Sequence, residues 1–227
     1  MLKKICSLLL AIIIFVSLFT ITSTYAAEIT HESLLLNLKI ISKSKDANAV
    51  VTREEFAGII KRLAKLETIA PEENPFAAEE TIKNSAADMY TAYSLGYMKM
   101  ADNNIFGANY PLTYSEAVLA LLKVTGYDVL VKTEMDVMAY ANKAGLLKGI
   151  SYSKDLPISY GDLTKMLFNT LNAEMLIGTS YGENQTYETK KDVTVLSEKF
   201  DVYSAEGILN STSSATILVG ASPTRED

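Results

Sequence analysis

The chain has 227 residues, of which 48% are hydrophobic and 21% charged, and its formal net charge is −6. This composition is that of a globular protein, and the length suffices for one larger domain or two small ones. The acidic balance, with no long basic block to offset it, argues against nucleic acid and anionic lipid as partners.

The first 26 residues are predicted to be a secretory signal peptide. A basic start at Lys3 and Lys4 precedes an apolar run over 8–19, and small residues around Ala26 suit cleavage after that residue. The apolar run is short for a bilayer, so an uncleaved anchor is the less favoured alternative and no membrane span is expected after cleavage. Cleavage removes two lysines and no acidic residue, which takes the net charge from −6 to −8.

The residues that carry most enzyme chemistry are scarce in the exported chain. The only cysteine, Cys6, lies inside the signal peptide, so disulfides, cysteine nucleophiles and cysteine-based metal sites are excluded. The only histidine is His31, at the start of the exported chain. Neighbouring carboxylates such as Glu54 and Glu55 point apart and do not form a general acid/base pair by spacing. We therefore predict no catalytic residue, no metal ligand and no cofactor.

Three segments with one shared pattern predict three helix–loop–helix repeats, over about 30–66, 79–128 and 134–175. In each, a first helix ends at a turn, a polar loop follows, and an apolar residue and a hydroxyl residue open an amphipathic second helix. The first helices are predicted over 32–41, 81–95 and 135–144. No repeat can bury its apolar face alone, so the three are expected to pack into one mainly helical domain over 30–177.

The hydroxyl residues at the starts of the second helices are predicted to be N-caps. Each is followed three positions later by an acid, so that the hydroxyl accepts from a backbone N–H while the acid reaches back to the cap residue. The pairs are Thr52 with Glu55, Thr113 with Glu116, and Ser159 with Asp162. All six side chains are therefore predicted to have structural roles.

The amino-acid composition changes after Gly178, where Gly, Asn, Thr and Ser become frequent and apolar residues alternate with polar ones. This pattern predicts short β-strands in a C-terminal segment over 178–227. The apolar positions that suggest strands are Val193, Val195, Phe200, Val202, Tyr203, Ile208, Ile217, Leu218 and Val219. The segment is expected to be either an added sheet or the start of a larger β-rich region.

The stretch VTREEF at 51–56, with its preceding loop and following helix, resembles the S-layer homology domain family. In that family an apolar residue, Thr, Arg, a small or acidic residue and Glu open a helix, and three repeats form one domain. The second repeat keeps Pro111, Thr113 and Glu116, and the third keeps Pro157 and Ser159. The resemblance spans about 30–175 and implies a pseudo-threefold bundle.

The resemblance also implies a location and a partner. Proteins of the family are held on the cell wall of Gram-positive-type bacteria by binding a pyruvylated secondary cell-wall polysaccharide in grooves between repeats. A pyruvate ketal carries a carboxylate, which an arginine near a helix N-terminus suits well. Arg53 is therefore the best-placed glycan contact, with Tyr114 and Tyr160 at the same position of the other repeats.

The residues at this position also have simpler interpretations. Arg53 can be a solvated residue of the first helical turn, and Tyr114 and Tyr160 can pack against a neighbouring repeat. Tyrosine can stack on a sugar or donate one hydrogen bond, but it supplies no charge, and the chain has no tryptophan.

The favoured function is a secreted, non-catalytic module at the cell surface that binds cell-wall polysaccharide. One alternative is a degenerate repeat scaffold that joins envelope proteins or assembles an S-layer without binding glycan. The other is the N-terminal part of a larger cell-surface protein or enzyme.

Overall fold

The computed structural model describes residues 30–73, 75–76, 82, 85–180 and 185–203. The predicted signal peptide and the predicted strand residues from 208 onward lie outside the described residues. The described part is mainly helical, as the sequence predicted, with seven α-helices and one two-stranded antiparallel sheet. The helices are α1 His31–Asn37, α2 Arg53–Leu63, α3 Ala86–Ser94, α4 Tyr114–Thr125, α5 Glu134–Lys143, α6 Tyr160–Asn172 and α7 Val195–Phe200. The strands are β1 Glu174–Gly178 and β2 Tyr187–Thr194, and a short 3₁₀-helix spans Tyr127–Leu130.

The six helices before the sheet form three consecutive pairs, α1–α2, α3–α4 and α5–α6, which we call the first, second and third segments. Each long helix packs against the first helix of the next segment, α2 against α3 and α4 against α5, and α6 returns to pack against α1. The apolar faces of the long helices form the core. Fully buried side chains on these faces are Phe56, Ile60, Leu63, Leu121, Leu122, Leu163, Met166 and Leu167.

The apolar residues that precede the caps join the three segments in a ring of backbone hydrogen bonds. Leu112 N–H donates to Val51 O at 2.9 Å, Ile158 N–H donates to Leu112 O at 2.8 Å, and Val51 N–H donates to Ile158 O at 3.4 Å. All three side chains are buried. The ring therefore brings the starts of α2, α4 and α6 together although they are far apart in sequence.

The C-terminal part differs from the sequence prediction in two ways. Val195 and Phe200 are predicted to lie in strands, but they begin and end α7, and Val202 and Tyr203 follow that helix without forming a strand. The reason is local, because Thr194 and Ser197 cap this helix reciprocally, and the adjacent Val195 and Leu196 are both buried. In addition, β1 begins at Glu174, so the sheet crosses the domain boundary predicted at 177.

Candidate functional site

The structure places Thr52, Thr113 and Ser159 at the N-caps of α2, α4 and α6. Each hydroxyl oxygen accepts from the backbone N–H three residues on, at 3.2–3.3 Å. These bonds satisfy one of the N–H groups that a helix start leaves without an intrahelical partner.

The acids three residues after the caps behave differently from one another. Glu116 closes a full capping box, because its Oε2 accepts from the backbone N–H of Thr113 at 3.0 Å. Glu55 instead forms an ion pair with Lys45 at 2.6 Å. Asp162 accepts a hydrogen bond from the phenol of Tyr114 at 2.5 Å. Only one of the three acids therefore has the reach-back contact that the sequence pattern predicts.

The first two backbone N–H groups of each long helix donate to the loop of another segment. Arg53 N–H donates to Tyr110 O and Glu54 N–H to Ala108 O, both at 3.0 Å. The equivalent bonds of α4 and α6 are Tyr114 to Leu156 O at 3.2 Å, Ser115 to Lys154 O at 2.9 Å, Tyr160 to Ala49 O at 2.8 Å and Gly161 to Ala47 O at 2.8 Å. Because these donors are already used, the helix starts cannot offer them to an anion.

Arg53 lies inside the protein, between the first and second segments, and its side chain is only 4% exposed. Its Nε donates to Phe106 O at 2.8 Å, while its Nη atoms donate to Glu116 Oε1 and to Lys99 O. The guanidinium carbon lies 5.0 Å from the centre of the Phe106 ring. The interpretation of Arg53 as a solvated residue is therefore wrong, and a glycan contact by this residue stays a prediction.

Tyr114 and Tyr160 are buried at the equivalent positions of α4 and α6. The phenol of Tyr114 donates to Asp162 of the third segment, and that of Tyr160 donates to Lys43 O of the first segment at 2.8 Å. Burial raises the pKa of Tyr114 to about 12, with the Asp162 hydrogen bond adding to the effect. Burial likewise raises the pKa of Tyr160, with Glu32 as the next cause.

The three residues predicted as glycan contacts thus share one geometry. Arg53 reaches from the first segment to the second, Tyr114 from the second to the third, and Tyr160 from the third to the first. We call them the junction residues. Each donates across the boundary between two segments, which agrees with the interpretation of the two tyrosines as packing against a neighbour.

A solvent-accessible cavity of about 310 Å³, which we call the first groove, lies beside α2 on the side of α3. Its lining is mostly polar and comes from the loop before α2, from α2 itself and from the start of α3, with Asn109 from the loop before α4. The lining side chains used below are Lys43, Lys45, Glu54, Glu55, Arg62 and Asp88, with Gly58 forming part of the wall.

A second groove, of about 430 Å³, lies in the corresponding place beside α4 and the start of α5. Counted from the N-caps, its Leu119 and Lys123 occupy the positions of Gly58 and Arg62 in the first groove. The cap pattern and the resemblance of the VTREEF stretch do not extend to these positions. A glycine inside an amphipathic helix costs about 1 kcal/mol relative to alanine, so Gly58 was the available signal.

Among the residues that the structure describes, no three His, Cys, Asp or Glu side chains lie close enough together to hold a metal ion. None of the helices placed by the structure has the length and apolar character needed to cross a membrane.

Comparison with known proteins adds no relative. No protein-family model matches the chain, and a search of curated proteins finds no similar sequence. The resemblance to S-layer homology domains therefore depends on the residue pattern given above.

Proposed function

We propose that the exported chain is a non-catalytic module of the S-layer homology type, secreted and held at the cell surface of a Gram-positive-type bacterium. In this proposal the three segments are pseudo-threefold repeats of one domain, and the domain attaches its protein to a secondary cell-wall polysaccharide. The chain itself performs no chemical step.

The observation that carries the proposal is the closed cycle of equivalent contacts among the three segments. Three N-caps occur at the same positions, and three pairs of helix-start N–H groups and three junction residues each reach to the next segment in the same direction. Such a cycle is expected of three homologous repeats that cannot bury their apolar faces singly. The repeat register is also what the resemblance depends on.

The proposed ligand position is a groove between segments, since the family binds its polysaccharide there. The first groove is polar and opens to solvent between the first and second segments. A saccharide has hydroxyl groups that both donate and accept, and the lining offers lysine, arginine and carboxylate side chains as partners.

A different observation favours the alternative of a scaffold that binds no glycan. Arg53, the arginine of the VTREEF stretch, has its three guanidinium nitrogens bonded inside the domain. The helix-start N–H groups are also used internally. On this alternative the domain has kept its architecture and presents its surface to an envelope protein.

Retention on purified cell-wall sacculi separates the two functions. The variant tested should be residues 27–227, because a chain ending at 177 would cut β1 and remove the buried Val195 and Leu196. The proposal expects retention on sacculi that is lost when the polysaccharide is removed and kept when surface protein is digested. The scaffold alternative expects the reverse, and failure to bind untreated sacculi contradicts the wall-binding proposal.

A further inference from the structure

We propose that the first groove is the one ligand site among the equivalent positions of the three segments, and that Arg62, standing over Gly58, recognises an oxyanion carried on a polyhydroxylated chain. The inference rests on the proposed function for the polymeric nature of the ligand. It goes further by assigning the site to residues outside the VTREEF stretch.

Arg62 is half-buried with part of its guanidinium unused. Its Nε donates to Ile40 O at 2.8 Å, which fixes the orientation of the group. Neither Nη atom has a hydrogen bond or an ion pair within the described part of the chain. Burial lowers the pKa of Arg62 in spite of two nearby carboxylates, Asp88 and Glu55, so the guanidinium is desolvated without full compensation. An anion bound to both Nη atoms would supply that compensation.

Gly58 provides the space beside this guanidinium. It lies one helical turn before Arg62, and a Cβ atom added there would lie 3.2 Å from Arg62 Nη1 and 3.3 Å from Asp88 Oδ2. A larger side chain would therefore displace the arginine head or fill the cavity. The backbone of Gly58 is ordinary α-helix, so the glycine is not explained by an unusual conformation.

The second groove has the same outline but different side chains. Leu119 replaces the glycine with an apolar side chain, and Lys123 replaces the arginine. The ammonium of Lys123 lies 5.2 Å from the centre of the Tyr97 ring, a cation–π contact that already uses it. A lysine also lacks the planar pair of donors with which arginine binds an oxyanion.

The third segment has neither the glycine nor the arginine. Lys165 stands at the glycine position and its ammonium donates to Gly149 O at 2.9 Å. Asn169 stands at the arginine position, and its Nδ2 donates to Leu146 O and Lys148 O, both at 3.0 Å. This side chain is neutral and both of its amide protons are used.

Two of the three carboxylates that line the first groove are already paired with lysines. The pairs are Asp88 with Lys61 and Glu55 with Lys45. The lining itself is balanced in charge, with Lys43, Lys45 and Arg62 against Glu54, Glu55 and Asp88. Recognition of an anion here therefore depends on the two unused guanidinium nitrogens of Arg62 and not on a net positive charge of the groove.

The test uses the exported chain, residues 27–227, and small probes of known charge. Amide NMR shifts are recorded with D-glucuronate, with glucose 6-phosphate and with uncharged methyl glucoside. We expect the two anions to shift resonances around Gly58 and Arg62 and the uncharged sugar to shift none. The tighter of the two anions identifies the ligand group as a carboxylate or a phosphate.

Three variants make the test specific. Arg62→Gln keeps an amide nitrogen where Nε donates to Ile40 O but removes the charge, and Gly58→Leu copies the second groove. Leucine has a higher helix propensity than glycine by about 0.8–1 kcal/mol, so this variant is expected to fold. Both should weaken binding of the better anion about tenfold or more, whereas the matched control Lys123→Gln should bind as the parent chain does.

The outcomes separate this inference from the proposed function. If the parent chain, Arg62→Gln and Gly58→Leu are all retained equally on sacculi, the inference is overturned and the wall-binding proposal is kept. Probe shifts around Arg62 without retention on sacculi overturn wall binding and leave the groove standing. The absence of shifts, shifts around Lys123, or equal shifts with methyl glucoside also overturn the inference.

Discussion

The boundary between the first and second segments and the boundary between the second and third have the same backbone contacts but different side chains. At both, two helix-start N–H groups donate to a neighbouring loop and a cap hydroxyl accepts a third. The junction residue is an arginine with three internal contacts at the first boundary and a tyrosine with one at the second. The backbone thus sets the geometry of the boundary, while the side chain sets how strongly it is held.

This difference changes how the arginine of VTREEF is interpreted. If Arg53 and Tyr114 do the same structural work, the arginine is not by itself a sign of an anionic ligand. A cation with unused donors lies elsewhere, at Arg62 in the last turn of the same helix. The two boundaries should therefore differ in strength, and unfolding of variants at each boundary compares them.

Arg53→Ala should cause the largest loss of stability. The change removes a 4% exposed cation and its contacts with Glu116, Phe106 and Lys99. The Glu116 side chain is 35% exposed and can be resolvated, but Arg53 also donates to two backbone carbonyls, and hydrogen bonds to charged groups contribute roughly 1.5–3 kcal/mol each. The midpoint of urea unfolding should therefore fall further than for Tyr114→Phe. As a control, Lys154→Ala removes an exposed cation and should change stability by less than about 1 kcal/mol. An Arg53→Ala variant of unchanged stability that no longer binds sacculi would instead make Arg53 the glycan contact.

Tyr114→Phe should cause an intermediate loss at the second boundary. It removes one hydrogen bond to the carboxylate of Asp162 and keeps the buried ring. Hydrogen bonds to charged groups contribute roughly 1.5–3 kcal/mol, so the loss should be smaller than that of Arg53→Ala. Equal or greater destabilisation than at the first boundary, measured in the same urea titration, would contradict the comparison.

The second boundary should also respond to alkaline pH. An unfolded tyrosine has a pKa of about 10, whereas that of Tyr114 is raised to about 12 in the folded protein. The folded state therefore favours the protonated phenol, so this contribution is present below about pH 10 and is lost between about pH 10 and about pH 12. Urea unfolding across this range should show a shallower decline for Tyr114→Phe than for the parent chain. Parallel declines would mean that Tyr114 does not titrate as the structure requires.

Ser159→Ala should have the smallest effect of the set. It removes one cap bond to the N–H of Asp162, and a lost cap costs about 1 kcal/mol. Ser159→Asp is the matched control, because aspartate is an equally good N-cap and should keep most of the stability. A higher thermal unfolding midpoint for Ser159→Ala than for Ser159→Asp would contradict the assignment of Ser159 as the N-cap.

The local features of the fold were predictable from the sequence because their causes are local. The cap and acid at Thr113 and Glu116 lie three residues apart, and apolar spacing marks the helix that follows. The error at Val195 has the same origin, because Val193 and Val195 alternate as strand residues do, although Thr194 between them caps a helix.

The site was less predictable because its contacts are long-range. Arg53 contacts Glu116, which is 63 residues away, and nothing next to Arg53 in the sequence indicates that partner. Nothing in the sequence separates Arg62 from other charged residues on the surface of a helix. It becomes a candidate only when two facts are known, the contact of its Nε with Ile40 O and the space that the missing side chain of Gly58 leaves beside its Nη atoms.

The most direct test of the account is the affinity of the Arg62→Gln variant for intact sacculi, measured beside the parent chain and Lys123→Gln. The three proteins should have similar unfolding midpoints, so that a difference in retention reports the groove and not the fold. The account predicts that the parent chain and Lys123→Gln are retained alike. It predicts that the affinity of Arg62→Gln is lower by a factor of about ten or more. Retention of Arg62→Gln at the affinity of the parent chain would contradict it.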